Sequence, residues 1–195
     1  VGGAGDDILS GGAGADTITG GLGIDTVDYS GSTAGISVNL LSSAGNGGDA
    51  QGDVLNSVEN VFGSGSGDLI IGDNSANLID GGAGNDTIAG GLGIDTVQGG
   101  EGDDILSGGA EGDQINGGLG IDTADYSQSS GAVTVNMALG TTAGADAQGD
   151  SLSGIENLTG SAHSDLLIGD SGANSLDGGF GADTLVGGGG ADTLL

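Results

Sequence analysis

The sequence predicts an all-β solenoid in which short parallel strands stack coil upon coil, with two nonapeptides per coil. Three observations carry this. A phrase of the form GGxGxDxUx, with U an Ile, Leu or Val, begins at Gly2, Gly11, Gly20, Gly81, Gly90, Gly99, Gly108, Gly117, Gly178 and Gly187, with Ala124 a small exception at U. Between the phrases, apolar and polar residues alternate at period two, as in TVDYS (Thr26–Ser30), ISVNL (Ile36–Leu40) and VTVNM (Val133–Met137), and no stretch has helical spacing. Of 195 residues 49 are glycine, and the aromatics are only Tyr29, Phe62, Tyr126 and Phe180, so a conventional globular core is out of reach.

Within each phrase GGxGxD is turn and xUx is strand. Glycine permits positive φ and leaves main-chain carbonyls open at a sharp reversal. A strand this short must pair with its equivalents in neighbouring coils. Two phrases close a coil of 18 residues with a turn on each side, so aspartates 18 apart stack at the strand spacing of about 4.8 Å. The stacked pairs are Asp7 with Asp25, Asp68 with Asp86, Asp86 with Asp104, Asp104 with Asp122, Asp95 with Asp113, and Asp165 with Asp183. Asn77 stands in the same relation to Asp95, and Asn174 to Asp192. Stacked carboxylates repel unless a divalent cation lies between them. Calcium takes about six to eight oxygens, from carboxylates and carbonyls alike, and a glycine-rich turn with one aspartate offers both.

A longer period lies over the short one. Gly2–Gln98 aligns without a gap on Gly99–Leu195 and is identical at 55 of 97 positions, which predicts two copies of one unit, residues 2–98 and 99–195. They form one continuous array, not two globular domains. Read as five coils of 18, the unit leaves a seven-residue excursion around Ser42–Gly48 and Gly140–Gly144, after which every turn returns to its own side. On this grid Glu59 and Glu156 fall in aspartate slots.

The repeated phrases resemble the RTX (repeats-in-toxin), hemolysin-type calcium-binding nonapeptide family over nearly the whole chain. The resemblance implies a right-handed parallel β-roll, folding driven by calcium, and export from a bacterium by type I secretion. It implies as ligands the sixth-position aspartates Asp7, Asp16, Asp25, Asp68, Asp86, Asp95, Asp104, Asp113, Asp122, Asp165, Asp183 and Asp192. Glu59, Glu156, Asn77 and Asn174 complete the candidate set. At the two asparagines the amide either ligates through its oxygen or builds an uncharged ladder, the ladder being favoured because glycines around them are missing. Glu111, which blemishes the phrase at Gly108, marks a weak or missing site.

Composition bounds the partners. The chain has 28 acidic residues, no lysine or arginine, and a formal charge of −28. Self-repulsion on this scale opposes compaction unless cations neutralise it. About ten calcium ions, at two carboxylates each, would cancel roughly 20 charges. Without basic residues the electrostatic term of nucleic-acid binding is missing, and anionic polysaccharide is equally disfavoured. No apolar run approaches the roughly 20 residues of a membrane span, so direct membrane insertion is not expected. The opening VGGAGDD has neither methionine nor a basic stretch, the expectation for a segment of a larger chain or a processed form.

Other groups read as structural. Asp6 and Asp103, beside the ligand aspartates, are expected to be solvated, and Asp49, Asp53, Asp146 and Asp150 to lie in polar loops, with an extra ion site as the sharper alternative. Tyr29 and Tyr126 are expected to fill the seam. His163 has no second histidine or cysteine to work with, and no nucleophile motif is present, so the chain is not expected to be an enzyme. The function expected is a calcium-binding structural module of a secreted or cell-surface bacterial protein, able to assemble end to end with its own kind. The alternative is a stalk aiding secretion and folding of an extracellular toxin or enzyme.

Overall fold

The computed structural model describes residues 1–195 as 24 strands of two to six residues and two single-turn 3-10 segments, with no α-helix. The chain is a parallel β-roll. In its regular part strands pair parallel in the 18-residue register: Leu69–Ile71 with Thr87–Leu92, that strand with Ile105–Ala110, and on the other wall Leu78–Ala83 with Thr96–Glu101 and then Gln114–Leu119. The U residues of the inner coils point inward. Val27, Val61, Ile79, Val97 and Ile115 form one wall's column, and Val38, Ile70, Ile88, Leu106, Leu158 and Leu176 the other's; all are at most 1 % exposed. β-branched side chains fill this thin seam well because neighbours stack directly above and below them.

The excursion differs from the seven residues that the arithmetic predicts. Val27 pairs with Val61, 34 residues on, so the widened coil holds 16 residues beyond a regular one. They build a three-stranded meander inside the wall. Ser37–Asn39 pairs parallel with Leu69–Ile71, reverses antiparallel through Ala44–Asn46, and Val54–Asn56 then lies parallel beside Thr17–Thr19. A five-coil count is therefore wrong by half a coil: turns do not return to their own side, and each residue's twin lies on the opposite wall. Leu9 is in the wall of Val27, whereas its twin Leu106 is in the wall of Ile88.

The second meander is incomplete. Thr134–Asn136 pairs antiparallel with Thr141–Ala143, but that strand has no ladder to Ser151–Ser153. In the first copy Gly45 N–H donates to Asp53 O at 3.0 Å and Leu55 N–H to Ser43 O at 3.0 Å. A Cβ at Gly45 would come within 2.8 Å of Ala50 O. Thr142 occupies that place in the second copy, and the one link left is its hydroxyl donating to Asp150 O at 2.6 Å. A cleft lined by Met137, Thr142, Leu152 and Ile155 opens where the ladder is lost.

Candidate metal centres in the stacked turns

The turn geometry explains the phrase. In the turn ending at Asp104 the carboxylate lies over the Cα of Gly99, where any Cβ would overlap Asp104 Oδ2. Gly100 has φ +113°, and a Cβ there would run into the Gly82 carbonyl of the coil below. The first glycine is the constant one: Gly72 and Gly169 keep this place under Asn77 and Asn174. At Glu111 a side chain is held at φ +85°, where other copies have glycine, yet Asp113 keeps its place in the stack.

The aspartates form hydrogen-bonded ladders in the predicted pairs. Each Oδ1 accepts the backbone N–H of its neighbour one coil earlier: Asp86 donates to Asp104 at 2.8 Å and Asp104 to Asp122 at 2.9 Å. Asp68 donates to Asp86, Asn77 to Asp95 and Asp95 to Asp113, all at 2.8 Å. Asp7 donates to Asp25 and Asp165 to Asp183, both at 2.9 Å, and Asn174 to Asp192 at 3.0 Å. Glu59 and Glu156 take the slot at the widened coils, accepting from Asp25 at 2.8 Å and Asp122 at 2.9 Å.

The second carboxylate oxygen is where the turns differ. Oδ2 of Asp7, Asp25, Asp86, Asp95, Asp104, Asp113 and Asp122 is buried without a hydrogen-bond partner. A buried, unpaired anionic oxygen is costly and calls for a counter-charge. Burial pushes the Asp86 carboxyl up to about 7, with the charges of Asp68 and Asp104 adding to it. Burial likewise raises Asp95 to about 6, and it raises Asp104, Asp113 and Asp122. No three acidic side chains converge on a point, so an ion here would draw its remaining oxygens from turn carbonyls. An all-oxygen donor set of carboxylates from adjacent turns and glycine-turn carbonyls suits a hard, flexible-shelled cation.

Elsewhere the protein itself supplies the missing donor. Tyr29 OH donates to Asp53 Oδ2 at 2.9 Å, and Tyr126 OH to Asp150 Oδ2 at 2.8 Å. Oδ1 of these two aspartates accepts from Asp16 N–H at 2.8 Å and Asp113 N–H at 3.0 Å. Asp53 and Asp150 are thus full members of the ladders rather than polar-loop residues, and the tyrosines bond to them besides filling the seam. Ser64 N–H and Ser161 N–H donate to Oδ2 of Asp68 at 2.5 Å and of Asp165 at 2.6 Å, and both serine hydroxyls join them. The Asn77 amide donates to Glu59 O at 2.6 Å and the Asn174 amide to Glu156 O at 2.9 Å, while each amide oxygen accepts from Asp73 or Asp170 N–H. Asp16, Asp183 and Asp192 are half-buried.

Two further expectations resolve differently. Asp6 and Asp103 are exposed but not merely solvated: their Oδ1 atoms accept Ile24 and Ile121 N–H at 2.8 and 2.9 Å, an outer ladder of opposite polarity. His163 lies exposed in its turn. No helix is long and apolar enough to cross a membrane.

A parallel roll whose turns bring buried, unsatisfied carboxylate oxygens together with glycine carbonyls defines a calcium-binding repeat module. The RTX calcium-binding nonapeptide repeat, a family model, matches residues 1–27, 62–97, 90–124 and 159–194, more than half of the chain, and the chain belongs to that family. The unmatched stretches are the widened coils. No curated protein matches the chain.

Proposed function

We propose that the chain is a non-catalytic structural module of a secreted or cell-surface bacterial protein, folded by calcium after export. The observation that carries the reading is the set of seven buried Oδ2 atoms without partners, in a chain of formal charge −28. Such a chain is self-repelling without cations, and because the sites do not exist in the unfolded chain, ion binding supplies folding free energy directly. Low calcium inside a cell keeps it unfolded and exportable; high calcium outside folds it. End-to-end assembly would join unpaired strand edges of two such rolls.

Calcium titration followed by far-UV circular dichroism and particle size tests the reading. Disorder in chelator, β-signal on adding calcium, and growth of particles with calcium are expected. A β-signal indifferent to chelator overturns calcium-driven folding, and particles of constant size overturn assembly.

A further inference from the structure

We infer that calcium loads only turns whose aspartate keeps a buried oxygen without a partner, and that the turns ending at Asp53, Asp68, Asn77, Asp150, Asp165 and Asn174, within and just after the two widened coils, are closed by the protein's own hydrogen-bond donors and take no metal. The inference rests on the calcium-dependent reading above and assigns which of the ladder positions belong to it.

The two groups occupy separate stretches of the chain, with half-buried Asp16, Asp183 and Asp192 in neither. Buried oxygens without partners occur at Asp7 and Asp25 and again from Asp86 through Asp122. Between these runs lie Asp53, Glu59, Asp68 and Asn77, and after them Asp150, Glu156, Asp165 and Asn174. In neither block does a slot side chain leave a buried oxygen unpaired. Three different chemistries reach the same result. A phenol hydroxyl bonds Asp53 and Asp150, a serine hydroxyl and N–H bond Asp68 and Asp165, and an amide replaces the carboxylate at Asn77 and Asn174.

Two of the devices also occupy an oxygen that a cation would use. The lone pair of Asp53 Oδ2 directed at Tyr29 is occupied, and Tyr29 is 1 % exposed, so the hydroxyl has nowhere else to donate. At Asn77 and Asn174 the amide NH2 takes the carbonyl of the coil below, an oxygen that an ion between those turns would need. By contrast Asp86, Asp95, Asp104, Asp113 and Asp122 are at most 1 % exposed and each keeps a buried oxygen, over the first glycine of its turn, that has no partner. The same three substitutions appear in both copies, 97 residues apart, although the copies have diverged in the adjoining meander.

The test is the number of calcium ions bound by the full chain, counted by equilibrium dialysis, with half-saturation from calorimetry. The Asp53→Asn/Asp150→Asn chain, which keeps the ladder acceptors, is expected to bind as many ions as the unsubstituted chain. Tyr29→Phe/Tyr126→Phe leaves both ladder hydrogen bonds in place and must not lower the count either. Asp86→Asn/Asp104→Asn is expected to bind at least one ion fewer, with half-saturation raised about tenfold or more. A lower count in either of the first two chains, or a full complement in the third, overturns the inference. No calcium bound by the unsubstituted chain would instead overturn the reading on which it rests.

Discussion

Replacing Asp86 by asparagine should change stability in opposite directions with and without calcium. Asparagine keeps the Oδ1 acceptor for Asp68 N–H and puts a neutral NH2 where the unpaired Oδ2 now lies. In chelator the unsubstituted roll must bury an anion that has no partner. Its carboxyl is raised from the ordinary 3.8 to about 7, chiefly by burial. That bias against the ionised form corresponds to about 4 kcal/mol above neutral pH, an order-of-magnitude figure. Asp86→Asn removes it, so the metal-free roll gains up to a few kcal/mol.

With calcium the balance reverses. Asp86 stacks under Asp104, whose second oxygen is also without a partner, so its loss removes a ligand charge from that gap, and half-saturation rises by about tenfold or more, equivalent to at least about 1.4 kcal/mol. The assay is far-UV circular dichroism in two titrations: a stabilising osmolyte at fixed chelator, and calcium without osmolyte. The substituted chain should fold at lower osmolyte and at higher calcium. A shift of the same sign in both titrations would refute the argument, since a purely structural carboxylate is needed equally in each condition.

Acidification from pH 8 to pH 5 should favour the metal-free roll. The folded state, with Asp86 at about 7 and Asp95 at about 6, holds protons that an unfolded chain near 3.8 has released, so stability falls as pH rises through that window. In calcium the same acidification should raise the ion concentration needed, because protons compete for the ligands; a roll that needs more osmolyte to fold in chelator at pH 5 than at pH 8 would contradict the first expectation. Gly100→Ala should cost about 1–3 kcal/mol through its positive φ, and more through overlap with the Gly82 carbonyl, seen as a higher calcium midpoint. An unchanged midpoint would mean the turns are looser than described. Thr142→Gly should let the second meander close as the first does, slowing amide exchange at Leu152; unaltered exchange would clear Thr142 of holding the strands apart.

Much of this was legible because the repeat is self-indexing. A period of nine fixes which residues are U, the coil of 18 fixes their partners, and every aspartate pair read at that spacing is a hydrogen-bonded rung. What the period could not index is what departs from it. Asp53 is joined to Asp16 across 37 residues and has no phrase around it, so spacing alone leaves it in a loop. The signal was the joint recurrence of Tyr29 with Asp53 and Tyr126 with Asp150, two buried groups each needing a partner. The size of the excursion escapes the period for a related reason. Seven residues and 16 differ by one nonapeptide, so both leave a strand at the right phase, and only the identity of the paired strands separates them.

That extra half-coil decides how charge is spread. With an even number of half-coils, both tyrosine-bonded aspartates would share one wall, and both asparagines the other. With the odd number, twins exchange walls. Asp53, Asp68, Glu156 and Asn174 are rungs of the wall containing Ile88, while Glu59, Asn77, Asp150 and Asp165 are rungs of that containing Val97. Each wall therefore receives one phenol-bonded, one serine-bonded, one glutamate and one amide turn. The unpaired oxygens are shared out as well: Asp7, Asp25, Asp95 and Asp113 on one side, Asp86, Asp104 and Asp122 on the other. Repulsion between like charges falls with distance and is screened over about 8–10 Å, roughly two coils, so a carboxylate's nearest stacked neighbours matter more than the total charge. On either wall the carboxylates without a partner occur two or three in a row. A chain of this charge can then fill its sites in short, independent groups, with no need for one wall to be saturated before the other can close.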